Sequence, residues 1–98
     1  MTISQQREND SLILHLTGRL DTNTAPVLEA ALESSRDGIK SLTLDMEGLE
    51  YLSSAGLRVL LAEQKRMNKQ GSMIVKNVCP AIMEVFTLTG FVDVLDIR

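Results

Sequence analysis

A strand–helix–strand unit lies in residues 41–78, with the sequence SLTLDMEGLEYLSSAGLRVLLAEQKRMNKQGSMIVKNV. The pattern predicts a short apolar strand over Ser41–Asp45, a helix that starts after Leu52 and ends at Gly71, and a second strand over Ser72–Val78. The residues expected on the buried face of the helix recur at helical spacing: Leu57, Leu60, Leu61, Gln64 and Met67. Two strands joined through a helix predict a right-handed crossover between parallel strands.

The rest of the chain extends this alternation on both sides. A polar turn, Glu8-Asn9-Asp10, separates two predicted N-terminal strands and indicates an antiparallel hairpin. The two N-terminal strands are predicted over Thr2–Arg7 and Ser11–Thr17, and a last strand over Val92–Ile97. One further helix is predicted from a Thr24 cap to Gly38, with Ala31 on its apolar stripe. Another runs from Pro80 to Gly90, and the residues expected to face inward are Ile82, Val85, Phe86 and Thr89. The order ββαβαβαβ predicts one α/β domain over residues 1–98, with a mostly parallel sheet and an antiparallel N-terminal edge.

Composition narrows the class of function. The 98 residues carry a formal net charge of −3, and aromatic residues make up only 3% of them. The chain therefore lacks the excess of basic residues that binding to nucleic acid or to an anionic membrane requires. It also has few aromatic side chains on which the bases of single-stranded nucleic acid could stack. The single Cys79 excludes an internal disulfide. Without a signal peptide or a long apolar run, the expected location is the cytoplasm.

Two serines at the predicted start of the second helix are the strongest candidates for a functional site. Ser53 is placed to cap the helix, and Ser54 then occupies the first helical position with its hydroxyl near solvent. A helix N-terminus favours a phosphate, and Arg58 lies one turn further on. Gly56 lowers helix propensity, which is easier to understand if a partner or phosphate approaches the backbone closely. Capping serines are common, so spacing alone favours a purely structural pair.

Signals for catalysis are weak. No G-x-S-x-G, P-loop or G-x-G-x-x-G pattern occurs, and one His with one Cys does not make a zinc site. His15, on a predicted strand, is expected to be structural. Three acids, Asp45, Glu47 and Glu50, are expected to lie solvated in a loop. We therefore expect neither an enzyme nor a metal or other cofactor.

In the order of its predicted elements and the spacing of its motifs, the chain resembles the STAS domain family, whose small free-standing members include bacterial anti-sigma factor antagonists. The resemblance rests on the element order, on Gly18-Arg19-Leu20-Asp21 before the first helix, and on Leu44-Asp45 leading to Ser53-Ser54-Ala55-Gly56-Leu57. Aligned on Gly56, the phosphorylated serine of the family falls on Ser54, with Ser53 as the other possible acceptor.

The resemblance implies a partner-switching cycle that could serve transcription, secretion or motility. An unphosphorylated antagonist binds an anti-sigma factor that is also a serine kinase, phosphorylation weakens the complex, and a serine phosphatase resets it. The implied partner-binding residues are Asp21, Thr22, Asn23, Ser53, Ser54, Gly56 and Arg58. Asp21 could equally be a turn residue.

Two departures from the family pattern matter. The acidic residue that often precedes the phosphoserine is Ser53 here, and the final helix of many relatives is missing or very short, which leaves room for a monomer or a weak dimer. The main alternative is a constitutive STAS scaffold subunit of a transport or signalling assembly. A small-nucleotide-binding module is a third, less favoured possibility because no glycine-rich loop is present.

Overall fold

The computed structural model describes all 98 residues. Its elements are β1 (Thr2–Glu8), β2 (Ser11–Leu20), α1 (Ala25–Ser35), β3 (Ser41–Leu52), α2 (Ser54–Gln70), β4 (Ser72–Lys76), α3 (Pro80–Thr89) and a short 3₁₀ turn (Phe91–Asp93). The predicted α/β class, the N-terminal hairpin and the three helices are confirmed.

The four strands form one sheet in the order β1-β2-β3-β4. β1 is antiparallel to β2, whereas β2, β3 and β4 are mutually parallel. The carboxyl ends of β2 and β3 therefore lie at the same edge of the sheet, and Leu20 pairs with Leu52 there. This pairing brings the loop before α1 next to the start of α2.

One face of the sheet carries the core. Alternate residues of β2, β3 and β4 point into it and are almost fully buried, while most residues between them stay half-buried or exposed. The three helices add their apolar stripes to the same cluster of 22 buried side chains, with Leu28, Leu32, Leu57, Leu60, Met67, Ile82 and Phe86 among them. Ala31, Leu61 and Val85 are only half-buried, and Thr89 is exposed, so the predicted stripes are slightly too wide.

The strand predicted over Ser41–Asp45 is too short. β3 continues to Leu52, with two register shifts against β2 that lengthen it locally. Glu47 and Glu50 therefore lie exposed on a strand, and Asp45 is buried rather than solvated in a loop. A bulged strand lacks strict alternation, which explains why the pattern indicated a loop.

The predicted last strand, Val92–Ile97, is wrong. Phe91–Asp93 is a 3₁₀ turn, and only Ile97 reaches the sheet, through a single parallel bridge to Val75. Val92 and Val94 are exposed, and although Leu95 and Ile97 pack on the core, the segment pairs with the sheet at one residue only.

A charged cluster joins the C-terminal end of α1 to the middle of α2, away from the edge where Leu20 and Leu52 pair. The carboxylate of Glu63 is fully buried and accepts a 2.9 Å hydrogen bond from Arg36, and Arg66 lies 3.5 Å from the same oxygen. The second oxygen of Glu63 is buried without a partner. Gln70 donates to the carbonyls of Arg36 and Ile39, both at 2.7 Å, and secures the end of α1.

Candidate functional site

The N-terminus of α2 has the geometry that its sequence predicts. Ser53 is the N-cap in an extended conformation, and its Oγ accepts a long 3.5 Å hydrogen bond from the N–H of Gly56. Ser54 is the first helical residue and is exposed. The N–H groups of Ser54 and Ala55 have no acceptor in the protein. This end of α2 therefore presents free donors beside the Ser54 hydroxyl.

Electrostatics at this end favour a negative group. The first turn of α2 contains no acidic residue, so no side chain neutralises the positive end of the helix dipole. Arg58, one turn beyond Ser54, is exposed and forms no ion pair. Residues four apart on a helix are neighbours, so its guanidinium can reach a phosphate on Ser54.

Gly56 has a structural explanation that the sequence did not reveal. It is buried, and a Cβ built on it would lie 2.7 Å from Leu20 Cγ and 2.7 Å from Leu52 Cδ1. The absence of a side chain thus lets the first turn of α2 pack onto the ends of β2 and β3. The interpretation of Gly56 as backbone left open to a partner is wrong, because two core leucines occupy that space.

The loop before α1 is held by Asp21. Its Oδ1 accepts the N–H groups of Asn23 at 3.0 Å and Thr24 at 3.1 Å. Thr24 occupies the N-cap position of α1, but the prediction that its side chain caps the helix is wrong. Its hydroxyl instead donates to the carbonyl of Arg19 at 2.7 Å and accepts the N–H of Asp21 at 2.8 Å. The Thr24 N–H holds the pKa of Asp21 below its ordinary value and outweighs the opposing effect of burial. Asp21 is therefore at least a turn residue, whereas Thr22 and Asn23 are exposed.

A backbone hydrogen bond connects this loop to the start of α2. The N–H of Ser53 donates to the carbonyl of Leu20 at 2.9 Å. The structure thus gathers the predicted site residues at one edge of the sheet: Asp21, Thr22, Asn23, Ser53, Ser54 and Arg58 at or near the surface, with Gly56 beneath them.

No concavity accompanies these residues. The two surface hollows of the molecule have volumes of 380 and 270 Å³, and neither is lined by any residue of α2. Small-molecule sites are concave and bury most of their ligand.

A polar network on the open face of the sheet was missed at the sequence level. His15 Nδ1 lies 3.1 Å from Asp45 Oδ2, and its Nε2 lies 2.8 Å from the side-chain oxygen of Gln6. Asp45 Oδ1 accepts hydrogen bonds from the Asn77 side chain and the Glu47 N–H, each at 3.1 Å. Burial raises the pKa of Asp45, but these hydrogen bonds and His15 outweigh it and leave that pKa lowered.

This network joins β1, β2, β3 and the start of the loop before α3. Only the tertiary fold brings its side chains together, since those that bond to each other lie 9 to 32 residues apart in sequence. No group of three or more histidine, cysteine or acidic side chains is placed to hold a metal ion. None of the helices is both long and apolar enough to span a bilayer.

Comparison with known proteins adds independent information. The pattern of the STAS domain family matches residues 2–98. BtrV of Bordetella bronchiseptica, a candidate anti-sigma factor antagonist, is 33% identical over 99 residues, which cover 99% of this chain and 85% of BtrV. The anti-sigma-B factor antagonist of Bacillus subtilis is 31% identical over 94 residues, covering 95% of this chain and 85% of the relative.

Solved structures of the anti-sigma factor antagonist SpoIIAA share the fold. The unphosphorylated form matches with a TM-score of 0.78 at 16% identity, over 99% of this chain and 87% of SpoIIAA. The phosphorylated form, described as a Bacillus cell fate determinant, matches with a TM-score of 0.76 at 17% identity, over 99% and 91% of the two chains.

Proposed function

Because the chain belongs to the STAS domain family, we propose that it is an anti-sigma factor antagonist whose binding is controlled by phosphorylation of Ser54. The observation that carries the proposal is the exposed Ser54 hydroxyl at a helix N-terminus with two free N–H groups and an unpaired Arg58 nearby. The names of the relatives, each matched over 85% of its length, support the same function. The protein acts in the cytoplasm, where its partners reside.

The unphosphorylated protein binds an anti-sigma factor that is also a serine kinase. Its binding surface consists of Thr22, Asn23, Ser53, Ser54 and Arg58. Asp21 shapes this surface by holding the loop, and Gly56 shapes it by letting α2 pack closely on the sheet. A flat surface of this kind fits a protein partner better than a free nucleotide.

Phosphorylation changes the surface more than the fold. A phosphoserine carries about −1.5 to −2 charges and three acceptor oxygens, and the N-terminus of α2 can accommodate them. In a desolvated interface whose partner side offers no cation, however, the added charge is only partly offset by Arg58 and still costs several kcal/mol, and about 4 kcal/mol corresponds to a thousandfold loss of affinity. The complex therefore dissociates while the antagonist stays folded, until a serine phosphatase removes the phosphate.

The test compares two aspartate substitutions. Ser54→Ala serves as bait to isolate the partner kinase, and the purified partner is then titrated by calorimetry with Ser54→Asp and with Ser72→Asp. Ser72 is also an exposed serine and lies at the opposite end of the sheet. We expect Ser54→Asp to abolish binding and Ser72→Asp to bind like the wild-type protein. Equal binding of both variants would instead favour a constitutive scaffold subunit with no phosphate cycle.

A further inference from the structure

Arg19 and Tyr51 form a stacked pair on the surface of the sheet. They are cross-strand neighbours at the ends of β2 and β3, and the guanidinium carbon of Arg19 lies 4.0 Å from the centre of the Tyr51 ring. The next residues, Leu20 and Leu52, are buried in the core. Because side chains alternate along a strand, Arg19 and Tyr51 project from the opposite, open face.

This pair is not part of the core. The Arg19 side chain is 58% exposed and Tyr51 is 41% exposed, although Tyr51 is the only tyrosine and one of three aromatic residues in the chain. Such a solvent-exposed stack contributes little to folding. Stacking does restrict both side chains, and a side chain that is already ordered loses less entropy when a partner binds.

The pair is continuous with the proposed binding surface. The carbonyl of Arg19 accepts the Thr24 hydroxyl at 2.7 Å, which anchors it to the turn that carries Thr22 and Asn23. On the other strand, Tyr51 precedes the Ser53 cap by two residues. One surface can therefore cover the turn, the start of α2 and the stacked pair together.

The chemistry of the pair indicates what faces it. Arg19 forms one ion pair, with Asp21, but the 3.8 Å distance from Arg19 Nε to Asp21 Oδ2 is too long for a hydrogen bond. The planar guanidinium thus keeps donors available for a bidentate acceptor. The exposed Tyr51 ring offers apolar area beside it. Arginine and tyrosine are also among the residues that dominate binding energy at protein interfaces.

We infer that Arg19 and Tyr51 are a second anchor for the anti-sigma factor kinase, with a carboxylate of the partner bound to Arg19 and an apolar side chain packed on Tyr51. This inference rests on the proposed function and extends its binding surface beyond Ser54. The anchor carries no serine or threonine for a serine kinase to modify, so it supplies affinity and not regulation.

The inference is tested with the purified partner kinase, four variants of the pair and one control variant, each checked for folding by circular dichroism. Arg19→Ala and Tyr51→Ala are each expected to weaken binding about tenfold or more. Arg19→Glu should weaken it further, because it sets two carboxylates against each other. Tyr51→Phe keeps the ring and should bind within about threefold of the wild-type protein. Lys69→Ala, which removes an exposed cation from the far end of α2, is the matched control and should bind normally.

The outcomes separate this inference from the function on which it rests. If Ser54→Asp abolishes binding while Arg19→Ala and Arg19→Glu bind like the wild-type protein, the second anchor is refuted and the switch stands. If the wild-type protein captures no kinase, both are refuted. Should Tyr51→Ala fail to fold, the Arg19→Ala and Arg19→Glu measurements decide.

Discussion

Replacing Gly56 with alanine tests whether the first turn of α2 is clamped onto the sheet. Alanine normally stabilises a helix relative to glycine by about 1 kcal/mol. Here the added methyl group would lie 2.7 Å from Leu20 Cγ and 2.7 Å from Leu52 Cδ1, about 1 Å closer than carbon atoms pack. Leu20 Cγ is a branch point close to its backbone, so it cannot move aside as freely as a terminal methyl group.

The magnitude follows from two opposing effects. Forcing an extra carbon into a well-packed core costs about 1–3 kcal/mol. Subtracting the helix-propensity gain of about 1 kcal/mol leaves a net destabilisation of about 0–2 kcal/mol, with about 1 kcal/mol as the expected value. For a chain of this size, that loss corresponds to a fall in Tm of about 4–8 °C.

Urea unfolding followed by far-UV circular dichroism measures the change, since the protein has no tryptophan to report by fluorescence. Ser54→Ala, in the same turn but exposed, is the control and should change the unfolding free energy by less than about 0.5 kcal/mol. Leu52→Val combined with Gly56→Ala should lose less than the sum of the single variants, because the shorter side chain makes room. A Gly56→Ala protein more stable than the wild type would refute the clamp.

Three further predictions concern stability. Arg36→Ala should lower the unfolding free energy by about 3 kcal/mol, because it removes the 2.9 Å partner of the fully buried Glu63. Replacing both residues with methionine should recover most of that loss in the same urea assay. Because folding lowers the pKa of Asp45, its charge stabilises the protein above about pH 4, and this contribution is lost as the pH falls through the lowered pKa. The unfolding free energy of Asp45→Asn should therefore depend less on pH in the acid range than that of the wild-type protein. Ser53→Ala should cost about 0.5–1 kcal/mol, at the low end for an N-cap because the bond to Gly56 is 3.5 Å long, and no change at all would contradict a capping role.

Local patterns were sufficient to predict most of the fold. The helix that starts at Ser54 and ends before Gly71 was predicted because its cap, periodicity and terminating glycine are all local features. The extension of β3 beyond Asp45 was not, because a bulge removes the alternation by which a strand is recognised. The failure at Val92–Ile97 has another cause, since Leu95 and Ile97 do pack on the core but the segment forms only one bridge to the sheet.

In the candidate site, too, local features could be predicted from the sequence and tertiary contacts could not. The exposure of Ser54 follows from its place next to a cap and was accessible from the sequence. The reason for Gly56 was not, because Leu20 approaches from a strand 36 residues earlier in the chain. The bonds of His15 to Asp45 and Gln6 were equally hidden, since they depend on the register of three strands.

The central claim is that Ser54 is the phosphate acceptor of a binding switch. The most direct test is to incubate the protein with its captured partner kinase and ATP, and to locate the phosphate by mass spectrometry of the peptide that contains Ser53 and Ser54. We predict a single phosphate on Ser54, no modification of the Ser54→Ala variant, and release of the phosphorylated protein from the complex. A phosphate on Ser53, or a complex that survives full phosphorylation of Ser54, would contradict it.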